Sequence, residues 1–299
     1  MKTLQVLLTT LVLTFITACG GGGGGGDGGG NGTVTQGSLS GTATKGPVSN
    51  ATVTAYAISN GQMGSQIATT TTNSNGNFAM TTGSYGGPVM LQVSGGSYTD
   101  EATGSAMTMG AGNVMTALIP AVTAGETVSG IQVTPVTAMA QAKAQHMAGG
   151  MTDANIAAAN TAMGNYFSVS DILHTQPMNP LVNNSGTAAG VTQDMKNYGM
   201  VLAAMSQSAK TLNMNTSALV TGMMNDANDG VMNGMMSGGS PIQMPMGGGM
   251  MGSMPSTVGT SSLGAAMTGF MNSTANASGL TTPDMATLIT KLNSSNGQI

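Results

Sequence analysis

The sequence predicts an α+β protein with two separate domains, an N-terminal antiparallel β-sandwich and a mostly α-helical domain after it. Two observations predict this class. Apolar and polar residues alternate through the segment from Thr33 to about Thr134, which is typical of half-buried strands. After Pro135 the composition changes to alanine, methionine and asparagine, and the apolar residues take helical spacing.

Residues 1–18 predict a lipoprotein signal peptide. Lys2 precedes an apolar run from Leu4 to Ile16, and this run is too short to span a bilayer as a stable helix. The run leads into Ile-Thr-Ala-Cys, which resembles a bacterial lipobox. The resemblance implies cleavage before Cys19 and attachment of diacylglycerol, with acyl chains such as palmitate, to its sulfur. Each buried methylene would contribute roughly 0.8 kcal/mol to the resulting membrane anchor.

Residues 19–32 predict the lipidated cysteine and a flexible tether, since glycine at this density behaves as a random coil. Cys19 is the chain's one cysteine, so no intramolecular disulfide can form. Lipoproteins of this kind that stay at the inner membrane commonly carry aspartate directly after the cysteine. Gly20 takes that place here, and the resemblance therefore implies the outer membrane.

The composition excludes one class of partner and leaves others open. The chain has six lysines, no arginine and a formal net charge of -4, which disfavours nucleic acid because that affinity comes mainly from cationic side chains. The predicted partner is the membrane, reached through the lipid anchor. An envelope protein or a polysaccharide is a further partner that the sequence does not specify.

The predicted β domain, residues 33–134, contains several strands with turn signals between them. A Gly46-Pro47 turn interrupts the first alternating stretch, and Val53, Ala55 and Ala57 lie on one predicted face after it. Asn75-Gly76 is the pair best suited to a tight hairpin, so we expect it to join two paired strands.

Three segments of this region, GTATKGPVSNATVTAY, ATTTTNSNGNFAM and GPVMLQVSGGSYTDEATG, resemble the carboxypeptidase regulatory-like domain. That module is a transthyretin-like β-sandwich found in bacterial surface lipoproteins. The resemblance covers roughly Leu39 to Val133, about a third of the chain. It implies a scaffold or binding role, since the module carries no catalytic residues in the peptidases.

The predicted helical domain, residues 135–299, contains about six helices and a flexible loop rich in methionine and glycine at 232–260. Its longest apolar stripe alternates steps of four and three residues, as expected for one helix face. The stripe consists of Val191, Met195, Tyr198, Leu202, Met205, Ala209 and Leu212. Thr152 is the predicted N-cap of a helix that ends near Phe167, and Thr282 with Pro283 predicts the start of the last helix.

The motifs searched for catalysis give no candidate catalytic residue. His146 and His174 are the two histidines, and neither stands in a zinc-binding spacing such as His-Glu-x-x-His. The Gly-x-Ser-x-Gly pattern of a hydrolase is absent. Asp226 to Gly230 suggests calcium, but position twelve of an EF-hand counted from Asp226 is Ser237 rather than glutamate. We therefore predict that the chain is not an enzyme and needs no cofactor.

Methionine offers the strongest candidate site. The chain has 29 methionines against 17 leucines, and five of them lie among glycines and prolines between Pro241 and Pro255. They are Met244, Met246, Met250, Met251 and Met254. Thioether sulfur is a soft ligand that selects Cu(I) or Ag(I), and glycine would let several sulfurs converge. The alternatives are reversible consumption of oxidants and a flexible or packing segment with methionine as apolar filler.

The sequence thus predicts a noncatalytic lipoprotein of the cell envelope with a binding or structural role. Cu(I) or Ag(I) binding by the methionine loop is the first alternative, and buffering of oxidants is the second.

Overall fold

The fold combines antiparallel sheets with six helices in the residues that a computed structural model describes, which are 36–110, 112–245 and 250–299. The prediction of a mixed α and β protein is confirmed at this level. The strands are β1 (Gly37–Ala43), β2 (Thr52–Ser59), β3 (Gln62–Thr71), β4 (Asn77–Gly83), β5 (Gly87–Ser94), β6 (Ser97–Thr99), β7 (Ala106–Thr108), β8 (Val114–Val122), β9 (Thr127–Val133), β10 (Gln243–Pro245) and β11 (Met251–Ser253). The helices are α1 (Pro135–His146), α2 (Asp153–Phe167), α3 (Gln193–Thr211), α4 (Thr216–Ala227), α5 (Ser261–Met271) and α6 (Ala286–Ser294).

Two larger sheets have the orders β4-β1-β9 and β3-β2-β5-β8, while β6-β7 and β10-β11 form two-stranded ribbons. Buried side chains from both larger sheets belong to one apolar cluster, which includes Leu39, Phe78, Val53 and Leu91. The pair β1 and β9 is parallel, unlike the other pairs. Alternation of apolar residues could not reveal this pairing, since it reports the faces of a strand and not its direction.

The predicted hairpin at Asn75-Gly76 is wrong. Strand β3 pairs with β2, whereas β4 pairs with β1 in the other sheet. The tight turn lies instead at Asn60-Gly61, where both residues have positive φ (51° and 72°), as a two-residue turn of type I′ requires. Asn73 accepts hydrogen bonds from the backbone N–H groups that flank Gly76, so that turn connects two sheets.

The helices begin at residues that satisfy their first N–H groups. Thr152 caps α2 and Thr192 caps α3, each by accepting from a backbone N–H in the first turn. The prediction for the last helix needs one correction: Thr281, not Thr282, is the N-cap residue. Its N–H and its hydroxyl both donate to Asp284 Oδ2, and a 3₁₀ turn at Thr282–Met285 precedes α6.

The change from strands to helices lies between Val133 and Pro135, close to the predicted boundary. Helices α1 and α2 pack on the four-stranded sheet, where Ile58, Met90 and Leu118 share a buried cluster with Ile156 and its neighbours. The other helices form a larger core of their own around α3. The described residues belong to one compact unit, and the division into two separate domains stays a prediction. No described helix has the length and apolar character needed to cross a membrane.

Candidate functional site

Residues 231–245 and 250–254, called the methionine ribbon below, fold onto helix α4. Its centre is the antiparallel pair β10 and β11, in which Met244 lies opposite Gly252 and Pro245 lies opposite Met251. Ile242 donates its N–H to Gly234 O at 3.0 Å, and Met254 donates to Ile242 O at 2.7 Å. The predicted flexible loop is therefore largely a hydrogen-bonded ribbon over its described residues.

Two of the five predicted ligands point into the core. Met244 and Met254 are 1% and 4% exposed and belong to the apolar cluster of the helical part. Both sulfurs lie over Gly222 of α4, because a Cβ at that glycine would stand 2.7 Å from Met244 Sδ and 3.5 Å from Met254 Sδ. Gly222 thus makes the space in which the two thioethers meet. This pair also fits the role of flexible apolar filler.

Two further predicted ligands point away from the core. Met250 and Met251 are 69% and 64% exposed, the highest values among the large apolar side chains that are described as exposed. Met246 lies outside the described residues, as does the lipidation candidate Cys19. The structure therefore brings Met244 and Met254 together, and it does not bring Met250 and Met251 to them. A site that uses all five sulfurs at once stays a prediction.

Met235 and Met236 are also exposed, at the other end of the ribbon. Met235 pairs with Pro241, whereas Met251 pairs with Pro245, four residues further along the strand. An extended strand rises about 3.3 Å per residue, so the two methionine pairs are separated by about 13 Å. The two methionine pairs thus lie at opposite ends of the ribbon.

Asp226 fastens the ribbon to α4. Its side chain is fully buried, and Oδ1 accepts the N–H groups of Asn233 (3.0 Å) and Gly234 (2.7 Å). Oδ2 is buried and has no hydrogen-bond partner among the described residues. Burial raises the pKa of Asp226 to about 6 against the opposing effect of the backbone N–H donors, and nearby Asp229 adds to the rise.

This geometry accounts for the segment that suggested calcium. Asp226 ends α4 as a buried acceptor for the ribbon, and Asp229 accepts the N–H of Val231 at 3.0 Å in the following turn. Among the described residues, no group of three His, Cys, Asp or Glu side chains converges in a way that could hold a metal ion. Thioether sulfur is not among these ligand types, so the methionine site stays a prediction.

A second cluster, which motif analysis did not single out, lies between the strands and the helices. Lys45, Asp100 and Glu101 are each at most 4% exposed. Lys45 Nζ forms an ion pair with Glu101 Oε2 and donates to Ser206 Oγ at 2.6 Å and to Leu202 O at 3.2 Å, both on α3. The ammonium is thus fully supplied with acceptors in a buried setting, which is the condition for a buried charge to be tolerated.

Asp100 completes this cluster. Its Oδ2 accepts from Thr216 at 2.7 Å and from Ser206 at 2.8 Å, and its Oδ1 accepts from Ala102 N and Thr103. Burial acts to raise the pKa of Asp100, but the Lys45 ammonium and the hydroxyl donors outweigh it, so the pKa is lowered overall. The carboxylate is therefore ionised at neutral pH, and the cluster ties the start of α4 to the end of β6.

Tyr98 lies beside the same cluster. Lys45 Nζ stands 5.9 Å from the centre of the Tyr98 ring, within range of a cation–π contact. Burial raises the pKa of the Tyr98 hydroxyl, and the charges of Asp100 and Glu101 raise it further, so this tyrosine stays neutral.

Both histidines lie at the surface, apart from the ribbon and the buried cluster. His146 Nδ1 is 2.9 Å from Ala142 O at the end of α1. His174 Nδ1 is 2.8 Å from Asp171 Oδ2, and both side chains are about half exposed. The structure shows no nucleophile in hydrogen-bond contact with either ring among the residues it describes.

Comparison with known proteins gives little additional information. No family model matches the chain, and no curated protein matches it. The resemblance to the carboxypeptidase regulatory-like domain therefore stays a prediction. One solved structure that it matches is a 9R-lipoxygenase from Cyanothece PCC8801, with 10% identity over 64% of this chain and a TM-score of 0.21. The match spans 24% of the lipoxygenase chain, about a quarter of its length.

This comparison corrects one prediction. We predicted that the chain is not an enzyme, whereas one solved structure that it matches is an enzyme, and the noncatalytic assignment is withdrawn. A likeness with a TM-score of 0.21 carries no argument about the chemistry of this chain, and no activity replaces the withdrawn assignment.

Proposed function

We propose that the chain is a lipid-anchored binding protein of the cell envelope that presents the methionine ribbon on a well-packed body. The lipobox-like sequence before Cys19 and the glycine run after it support the anchor and the tether. The expected location is the outer membrane, and the expected body includes a transthyretin-like β-sandwich and a helical domain. An envelope protein or a polysaccharide is the partner class that we propose.

The observation that carries the binding role is the outward placement of Met250 and Met251 next to the inward placement of Met244 and Met254. The inward pair and Asp226 hold the ribbon on α4. The outward pair leaves two large apolar side chains in water, and adjacent exposed apolar side chains commonly mark a contact surface. The anchored part of the ribbon therefore supports a role in which Met250 and Met251 are displayed to a partner.

The anchor is tested by fractionation of cells that make the full chain or its Cys19→Ser variant. We expect the unsubstituted protein in the outer-membrane fraction. We expect the variant to leave that fraction, because serine offers no thiol for the lipid. Equal distribution of both proteins would contradict the proposal.

Cu(I) or Ag(I) binding is the second candidate function, and the exposure of Met250 and Met251 favours it. These thioethers are accessible, uncharged and free of carboxylates nearby in sequence, which suits a soft cation. Reversible oxidation of the same two methionines is the remaining alternative.

Titration of the purified protein with Cu(I) against a competing chelator tests the metal candidate. We expect binding with a Kd below about 1 µM, and loss of that binding when Met250 and Met251 both become leucine. A matched Met235→Leu and Met236→Leu variant should bind as the parent does, since these residues lie at the other end of the ribbon. Failure of the parent protein to compete for Cu(I) would retire the candidate.

A further inference from the structure

We propose that Asp226 is a proton-operated clasp that sets how firmly the methionine ribbon is held on α4. The ribbon contacts one face of this helix at two points, Gly222 and Asp226, which are four residues apart and therefore lie one above the other. Gly222 receives the two buried thioethers, and Asp226 receives the two backbone N–H groups. The second contact depends on an ionisable group.

Few groups around Asp226 stabilise its ionised form. Its Oδ2 is buried and has no hydrogen-bond partner among the described residues, which form ion pairs only at Lys45–Glu101 and His174–Asp171. The sequence from Gly230 to Thr260, which includes the Asn233 and Gly234 donors to Asp226, contains no ionisable side chain. A buried carboxylate without a cation carries a desolvation cost that the protonated acid avoids.

The charged and titratable groups that surround this site do not remove that cost. Asp229 follows on the same helix end and adds negative charge. Burial raises the pKa of the Tyr166 phenol on α2, and a hydrogen bond from Ser295 lowers it. The charge of nearby Asp226 raises it further. Lys143 of α1 lies near Gly230, with Nζ 2.8 Å from where a Cβ would stand, but it makes no ion pair with Asp226.

The charged side chains of α3 interact with other residues. Asp194 accepts from Ser170, and Lys210 donates to Ala102 O. The charge of Lys196 lowers the pKa of Asp284.

The sign of the effect follows from these contacts. The folded protein holds the proton on Asp226 up to a pH of about 6, whereas a solvated carboxyl loses it near 3.8. Protonation therefore favours the docked ribbon, the advantage is complete below pH 4, and it is lost as the pH rises through 6. Above that range the ribbon opens more easily.

Hydrogen–deuterium exchange of the full-length purified protein at pH 5, 6 and 7 tests the clasp. After correction for the intrinsic exchange rate, we expect the opening of ribbon amides such as Gly234 N and Ile242 N to increase roughly tenfold between pH 5 and pH 7. Amides in the middle of α3 should change much less. Asp226→Asn keeps an oxygen acceptor but does not ionise, so we expect this variant to abolish the pH dependence.

Asp229→Asn is the matched control, since it removes an exposed carboxylate two residues beyond the helix, and the pH dependence should survive it. In the unsubstituted protein the Gly234 amide signal in NMR should titrate with a midpoint near pH 6. This measurement needs no variant to fold. A ribbon that opens equally at pH 5 and pH 7, or a Gly234 amide that titrates only near pH 4, would overturn the proposal. Neither result depends on the lipid anchor or on metal binding.

Discussion

Replacement of Lys45 by methionine should lower the free energy of unfolding by about 3–5 kcal/mol, the usual cost of removing one partner of a buried ion pair. Methionine has a similar length and no charge, so the change leaves Asp100 and Glu101 as two buried carboxylates without their cation. Chemical denaturation of the purified protein, with the midpoint and slope both recorded, gives the measurement.

Two further variants separate lost charge balance from lost packing. Lys196→Met changes a partly exposed lysine of α3 and should alter stability by less than about 1 kcal/mol. The double variant Lys45→Met with Glu101→Gln removes both partners of the pair, so its loss should be smaller than the sum of the single losses. A Lys45→Met variant as stable as the parent would show that the cluster contributes little.

Gly199→Ala should destabilise the protein by about 3 kcal/mol, although alanine is the better helix former. A Cβ at this position of α3 would stand 2.0 Å from the backbone oxygen of Met178, and a backbone atom cannot turn away as a flexible side chain can. The helix or the segment that crosses it must therefore shift. Thermal unfolding followed by circular dichroism measures the loss.

Gly269→Ala is the matched control for this prediction, because it makes the same change inside α5. Its nearest contacts would be side-chain atoms of Gln207 at 3.9 and 4.0 Å, which is ordinary van der Waals distance. We expect a gain of up to about 1 kcal/mol from helix propensity. If both variants shifted stability in the same direction, the close crossing at Gly199 would not be the reason.

Local signals predicted the helices well and the strand pairing less well. The position of Thr152 before an apolar stripe correctly predicts it as a cap. Capping joins residues within one helical turn, so a short stretch of sequence is enough to predict it. The hairpin at Asn75-Gly76 failed because Asn60-Gly61 carries the same turn signal. Pairing between strands across the whole β region decides which of these turns forms a hairpin. A short stretch of sequence contains no information on that pairing.

The candidate sites show the same limit. The sequence predicted a cluster of five methionines, but β10 and β11 alternate their faces, so Met244 points inward and Met251 outward. Lys45, Asp100 and Glu101 were missed because their contacts with Ser206 and Thr216 span more than 100 residues. The available signal was charge itself: in a chain with 5% charged residues, a lysine beside buried strands needs a buried partner.

The central claim is that Cys19 carries a lipid and holds the body at the cell envelope. Mass spectrometry of the protein extracted from membranes tests this claim most directly. We expect Cys19 as the first residue, with a diacylglycerol thioether and an acylated amino group, and no peptide from residues 1–18. A mature protein with an unmodified Cys19 thiol, or one that retains the first 18 residues, would contradict it.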